Sequence, residues 1–355
     1  MQNQKSDDDV INIFKRGKKM KLRKIMATVT AMIVASSLLA ACGSSSGEGS
    51  SEDYPKKAME FIAPSGAGGG WDLTIRTVAK VLEDTDLVDV AMPVTNKTGG
   101  GGGVNLAYMQ GKKGSDSLVS VYSPPLLLIN LNGSTEHSYK DTTPLAKLIT
   151  DYGAFVVAKD SPYNDMSEVM EALKADPKSV KIAGGSSAGS MDHIQFLMVA
   201  KAAGVENIKE IDYVAFQDGT ATSQVLGGHV DLFSTGLADV EALLESGDLR
   251  ALGQTADHRV GEGVLAEVPT VQEQGIDIVF ENWRGLFGAP DMPEYAVEFW
   301  QDTLSKMVET DEWKEAAARN GWDHAFATGE EFNTFLDEKN EDYKTILEEI
   351  GMLNN

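Results

Sequence analysis

Three times the chain runs from an apolar stretch into a glycine-rich loop and then into a segment with helical periodicity. Residues 61–64 lead through Ser65-Gly66-Ala67-Gly68-Gly69-Gly70 to Trp71-Asp72 and a helix with Ile75, Val78, Ala79 and Leu82 on one face. Residues 90–94 lead through Thr98 and five consecutive glycines, Gly99 to Gly103, into the helical stretch 104–110. Residues 180–183 lead through Gly184-Gly185-Ser186-Ser187-Ala188-Gly189-Ser190 into a helix with Ile194, Leu197, Met198 and Ala202 on one face. Further strand-like runs at 117–122, 154–158, 211–216 and 230–233 alternate with polar turns, which predicts an α/β architecture. The end differs in kind: 295–308 and 332–350 read as helices, and Tyr343, Ile346, Leu347 and Ile350 form a core-facing stripe. Each strand–loop–helix junction gathers unpaired backbone N–H groups at the positive end of a helix dipole, an arrangement suited to a carboxylate or phosphate.

Letter-by-letter checks exclude the nucleotide readings of these loops. A dinucleotide fingerprint counted from Gly66 and Gly68 needs glycine where Trp71 stands, and counted from Gly99 and Gly101 it needs glycine at Val104. A phosphate loop ending at Gly111-Lys112 has Leu106 in its first glycine position and Lys113 in place of Ser or Thr. Gly185-Ser186-Ser187-Ala188-Gly189 does satisfy G-x-S-x-G between a strand and a helix, which would make Ser187 a hydrolase nucleophile with His193, His229, His258 or His324 as base. No His-Gly-Gly oxyanion motif precedes it, and the other glycine loops have no purpose in a hydrolase. The same serines can instead donate hydroxyls, with Ser186, Ser187 and Ser190 around an anionic head group. No two of the five histidines stand at i, i+4 and there is a single cysteine, so neither a metal nor a cofactor is expected. His193 reads equally as a ligand-facing or a structural histidine, Asp72 as a helix cap or a ligand contact, and Trp71 as core or pocket wall.

The N-terminus is a targeting segment. Seven basic residues between Lys15 and Lys24 precede an apolar run at 25–41, too short for a comfortable membrane span. The run ends in Leu39-Ala40-Ala41-Cys42, which resembles a bacterial lipoprotein signal with Cys42 lipidated; the start lies at Met1 or Met20. Residues 1–41 are therefore expected to be removed, and 42–52, rich in Gly and Ser, to form a tether holding a soluble body to the extracytoplasmic face of a membrane, at the cell surface or in the periplasm. Residues 1–41 hold eight of the 31 basic and three of the 54 acidic residues, so 23 Lys and Arg face 51 Asp and Glu in the body, a net charge of −28. Such a body lacks the basic patch that nucleic acid requires.

Taken in order, the loops resemble the substrate-binding proteins of tripartite tricarboxylate transporters, the TctC or Bug family. The resemblance is carried by Ala63 to Asp72, by Asn96-Lys97-Thr98 and the following glycines, by Gly189-Ser190-Met191-Asp192-His193, and by Tyr213 to Ala221. Leu226-Gly227-Gly228-His229-Val230-Asp231-Leu232 and the stretch from Val268 to Gly275 continue it. It implies a type II two-lobed periplasmic-binding-protein fold with two hinge crossings, near 151–157 and 279–288, and a ligand cleft between lobes. Lobe one would comprise 53–152 and 283–355, and lobe two 153–282. The family holds a carboxylate with loop amides, hydroxyls and waters and without a dedicated arginine. The expected contacts are Ser65, Gly66, Ala67, Trp71, Asp72, Gly100, Gly101 and Ser123 from one lobe and Ser186, Ser187, Gly189, Ser190, His193 and Asp218 from the other. Thr98 replaces a frequent proline, Gln217-Asp218-Gly219 a frequent Lys-Gly-Gly, and Trp71 a small polar residue, so the family's ligand is not carried over. The function implied is a monomeric receptor that captures a small organic acid and delivers it to one large and one small integral membrane subunit. A ligand sensor of the same fold and a secreted hydrolase using Ser187 are the alternatives.

Overall fold

Among the described residues ten strands form one continuous sheet whose two halves meet on a single long strand. The computed structural model describes residues 54–216 and 220–354; the leader, Cys42, the tether and Asp218 lie outside them. In chain order the strands are β1 (Glu60–Ala63), β2 (Val94–Asn96), β3 (Leu118–Tyr122), β4 (Thr143–Ala158), β5 (Ile182–Gly184), β6 (Tyr213–Ala215), β7 (Leu232–Gly236), β8 (Leu249–Gln254), β9 (Glu281–Gly288) and β10 (Asp323–Thr328). In the first half β2, β1 and β3 run parallel, with Phe61 opposite both Val94 and Val119. Antiparallel β9, β4 and β10 follow. The second half repeats the plan: β6, β5 and β7 run parallel, with Ile182 opposite both Tyr213 and Leu232, and antiparallel β4 and β8 follow. β4 pairs with β9 as far as Tyr152 and with β7 and β8 from Gly153 onward, so the chain changes lobes inside a strand. It returns through β9.

Among the described residues ten helices of four or more residues cover the sheet: α1 (Gly70–Asp84), α2 (Gly103–Gln110), α3 (Pro125–Leu131), α4 (Met166–Ala175), α5 (Met191–Ala202), α6 (Ala221–Leu226), α7 (Glu241–Ser246), α8 (Glu294–Met307), α9 (Asp311–Arg319) and α10 (Gly329–Glu349). The inner parallel strands β1, β3, β5 and β7 are mainly apolar because helices bury both their faces, with Phe61, Ile62, Ala63 and Ile182 wholly buried, whereas the edge strands β2 and β6 are not buried. The apolar stripe of α1 does what its period predicts, with Ile75, Val78 and Leu82 buried. α5 does not have one apolar face: everything from Asp192 to Leu197 is buried, together with Val199 and Ala200, while Ala202 is exposed. It is enclosed on all sides, which a one-sided stripe cannot forecast.

Apolar side chains gather in three clusters. One belongs to the first half of the sheet and packs Phe61, Ile75 and Leu82 against Trp300 and Leu304 of α8 and Trp313 of α9. A second belongs to the other half, around Val156, Ala183, Val225 and Phe233. The largest runs across both, joining Leu126 and Leu127 of α3 to Phe196 and Leu197 of α5 through Tyr343, Ile346 and Leu347 of α10. The end of α10 also reaches lobe two through an ion pair between Glu349 and Lys201 on α5. Among the described residues no helix is long and apolar enough to cross a membrane.

Gly285, inside β9, lies where Phe332 of α10 presses on the sheet: a methyl there would come 2.6 Å from Phe332 Cζ and 2.9 Å from the Ala146 carbonyl oxygen. Gly285→Ala is expected to destabilise the protein by about 1–3 kcal/mol through overpacking, read as a lower denaturation midpoint at unchanged denaturant dependence.

Candidate functional site

The loops at the carboxyl ends of β1, β3, β5 and β7 converge on one cleft, the place where open α/β sheets bind ligands. Its cavity, about 240 Å³, is lined by Ser65, Trp71 and Ser123 from lobe one, Ser186 and Asp239 from lobe two, and Arg284 of β9 on the crossing, with Gly70, Pro125, Gly185, Met191, Asp192, Thr235 and Asn282 between them. A larger cavity, about 400 Å³, lies between the 258–262 loop and the indoles of Trp313 and Trp322. Its cations are already engaged, Arg259 with Glu273 and Lys314 with Glu309, and none of the glycine loops reaches it.

Both principal loops are held by an acid in the first turn of the helix that follows. Asp72 accepts from the Gly68 N–H at 2.9 Å, from Arg76 Nε at 2.8 Å and from Asn96 Nδ2 at 2.8 Å. Burial pushes its carboxyl up, but these donors outweigh it and hold the group below the usual range. Asp192 accepts from the Ser186 N–H at 2.8 Å and returns its own N–H to Ser186 Oγ at 2.9 Å. Here burial wins and the carboxyl is pushed up to about 6. The loops therefore spend part of their amide capacity on their own helices. Helix geometry leaves the first-turn N–H groups at Gly70 and Trp71 of α1 and at Met191 of α5 without intrahelical acceptors.

Two hydroxyls that line the cleft are in the same electronic condition. Trp71 Nε1 donates to Ser123 Oγ at 2.8 Å, as the Asp192 N–H donates to Ser186 Oγ. Each serine oxygen has an N–H on a lone pair, which leaves its O–H to donate elsewhere. Trp71 is a wall of the cavity, set edge-on to Tyr122 with centroids 5.8 Å apart. The second glycine loop explains how that wall fits: all of Gly99 to Gly102 have positive φ, and a methyl on Gly102 would lie 2.9 Å from Tyr122 and 3.3 Å from Trp71.

The expected contacts thus separate. Ser65, Trp71, Ser123 and Ser186 line the cavity. Gly66 and Ala67 are exposed on the loop beside it, and Gly100 and Gly101 belong to the turn that backs Trp71, Gly101 packing against Ile129. Asp72 is consumed as a loop cap. Ser187 accepts the Ser190 N–H at its carbonyl, and among the described residues no histidine is hydrogen-bonded to its hydroxyl. Ser190 is buried with Oγ unpartnered. His193 is structural in its contacts: Nδ1 accepts the Gly189 N–H at 3.0 Å, the ring lies 4.4 Å from that of Tyr213, and burial lowers its pKa to about 4. Among the described residues no group of three or more His, Cys, Asp or Glu is placed to hold a metal.

Sequence reading missed the cleft's charges. Arg284, 3% exposed, donates to Asp151 Oδ2 at 2.5 Å, to the Gly70 carbonyl at 2.9 Å and to Thr74 Oγ1 at 2.7 Å. A guanidinium therefore stands in the cleft wall, engaged by Asp151 and the first turn of α1. Burial pushes the Asp151 carboxyl up against the opposing pull of Arg284. A signal existed, since an arginine inside the apolar run Trp283-Arg284-Gly285-Leu286-Phe287 needs a buried partner. Thr235 and Asp239, at the end of β7 and in the turn after it, carried no such mark.

Comparison with known proteins gives a consistent result. BugT of Bordetella pertussis is 24% identical over 307 residues, covering 85% of this chain and 92% of BugT. A TctC solute-binding protein from Polaromonas, solved without ligand, is 27% identical with a TM-score of 0.63 over 83% of this chain and 99% of its own. Two Rhodopseudomonas palustris proteins share the fold: MatC with bound malate, 17% identical, TM-score 0.68, covering 83% and 100%, and a protein solved with adipate, 18% identical, TM-score 0.74, covering 84% and 99%. The model of the tripartite tricarboxylate transporter family receptor, TctC, matches residues 78–352. The fold is that of the two-lobed periplasmic solute-binding proteins, and the chain belongs to the TctC receptor family.

Proposed function

We propose that this receptor captures a small organic acid in the cleft and delivers it, without turnover, to a large and a small integral membrane subunit of a tripartite tricarboxylate-type transporter. The observation that carries the reading is the pair of serines lining the cleft, Ser123 and Ser186, whose oxygens each accept an N–H so that their protons are free for an anion. Helix starts from both lobes add N–H groups and positive dipole ends. A cavity of about 240 Å³ falls below the roughly 300–1,000 Å³ of drug-sized ligands and suits an acid of few heavy atoms. The malate and adipate of the two R. palustris structures are acids of that size class. Lipid attachment at Cys42 and an extracytoplasmic location rest on the N-terminal sequence.

The test is a thermal-shift titration of the purified protein with mono-, di- and tricarboxylates, followed by product analysis. A captured acid at 100 times its dissociation constant adds about 2.7 kcal/mol and raises the melting temperature by several degrees. It is recovered unchanged; consumption of the acid would make the protein an enzyme, and silence across the panel would end the carboxylate reading. Ser123→Ala is expected to weaken binding about tenfold, because it removes a donor and leaves Trp71 Nε1 unpaired.

His193 supplies a pH test of the structural role that separates it from a catalytic base. Its folded pKa is depressed from 6.5 to about 4, so its contribution to stability is present above pH 6.5 and is lost as pH falls through 4. The stability advantage of wild type over His193→Asn should shrink by about 3 kcal/mol between pH 7 and pH 4. The difference isolates His193 from Asp192, whose raised carboxyl contributes with the opposite sign. An advantage that does not change across this range would show that the ring is not held neutral.

A further inference from the structure

Within lobe two the serine loop is held at three points. The Ser186 N–H donates to Asp192 at 2.8 Å, the Ser186 carbonyl accepts the Tyr213 hydroxyl at 2.7 Å, and the Gly189 N–H donates to His193 Nδ1 at 3.0 Å. Bonds at both ends of so short a loop make it move as one piece with α5. The Gly189 carbonyl, by contrast, is bonded to the other lobe: it accepts from Asn132 Nδ2 at 3.4 Å. Asn132 stands at the C-terminal cap of α3. Its amide has a settled orientation, because the Ser134 N–H occupies Oδ1 at 3.0 Å and so leaves the Nδ2 donors for Gly189.

Packing marks the same place independently. Residues 351–354, after α10, lie against both partners. The Asn354 N–H donates to the Leu131 carbonyl at 2.8 Å, and a methyl on Gly133 would lie 2.7 Å from Asn354 Cγ. A methyl on Gly189 would lie 3.3 Å from Met352 Sδ and 3.5 Å from Asn132 Nδ2. One hydrogen bond and one packing contact therefore join the lobes at Gly189, and the ion pair of Glu349 with Lys201 joins them again on α5.

This junction is tied to the cleft at both ends. α3 begins two residues after Ser123 and ends beside Asn132; its seven residues make a rod about 10 Å long. The serine loop carries Gly185 and Ser186 in the cavity wall and meets Asn132 at Gly189. A continuous path thus runs from Ser123 along α3 to Asn132, Gly189 and Ser186. We propose that Asn132, backed by Met352, is a positioning residue for capture: its bond to the Gly189 carbonyl sets the Ser186 hydroxyl relative to Ser123 and has to break before the lobes part. This rests on the carboxylate reading above and adds to it a residue outside the cavity wall that governs release.

Asn132→Asp tests it, since the variant keeps the size of the side chain and the Ser134 contact but sets an oxygen against the Gly189 carbonyl. Spin labels at Lys80→Cys on α1 and Lys178→Cys in lobe two, both exposed positions, report the lobe separation without any ligand, in a Cys42→Ser background that removes the single cysteine. The distance distribution is expected to broaden in Asn132→Asp and, to a smaller extent, in Met352→Ala. Stopped-flow binding of mono-, di- and tricarboxylates, malate and adipate first, is expected to show affinity weakened about fivefold in Asn132→Asp, as for the loss of one hydrogen bond. The loss should lie in faster dissociation with association little changed, a split that lowered fold stability alone would not produce. An unchanged distance distribution overturns the inter-lobe clasp while acid capture stands. A broadened distribution with unchanged dissociation of an acid that binds wild type overturns the positioning role. If no acid binds wild type, the carboxylate reading falls and the positioning role falls with it.

Discussion

The buried pair between Arg284 and Asp151 ties together the parts on which the cleft depends. Asp151 is on β4 and Arg284 on β9, the two strands by which the chain passes between lobes. The same guanidinium holds the first turn of α1 through Gly70 and Thr74. Two crossings and one loop–helix junction thus share a single charge. This also explains the last glycine of the first loop, since a methyl on Gly70 would lie 2.5 Å from Arg284 Nη2. A buried pair of this kind contributes little net stability over an apolar substitute, but loss of either partner alone strands a charge at a cost of about 3–5 kcal/mol. Its value is positional: it fixes where β9 stands relative to the glycine loop.

Around that pair the two lobes repeat one device. Each has a parallel strand, a loop, and a helix whose first turn carries an acid that grips the loop, Asp72 in one lobe and Asp192 in the other. The consequence is that glycine content here reports close packing at least as much as ligand contact. The second loop, with its run of five glycines, lies behind Trp71 and Tyr122 and lets those rings approach the backbone. Trp71 in turn orients Ser123. The chain of causes runs from a glycine without a side chain, to an indole that fits, to a hydroxyl with its proton free.

Much of this was legible in the sequence. The strand–loop–helix order, the apolar stripes of α1 and α10, and the place of Trp71 beside a loop all follow from periodicity and glycine. What was not legible has physical reasons. The first part of β4 carries Lys147, Thr150 and Asp151, which break an apolar pattern; the two charged groups are accommodated, Lys147 lying 4.0 Å over the Phe335 ring and Asp151 against Arg284. α5 shows no single apolar face because it is enclosed all round, and its His193 and Asp192 are buried for the same reason. Asp239 has no local signature at all. It reaches the cavity wall only because the turn after β7 comes to the cleft once the chain has folded, and no spacing rule encodes that.

The apolar cluster that runs through α3, α10 and α5 bears on how the cleft can widen. Because α10 packs on α3 of one lobe and ends on α5 of the other, any motion that parts the lobes must either drag this helix along or peel hydrocarbon from it. The resistance to such motion is therefore of the kind that ionic strength does not screen, unlike the attraction between an acidic body and a charged solute. Encounter with the ligand and the work of opening thus respond to different variables of the surrounding medium: salt tunes the first and temperature the second.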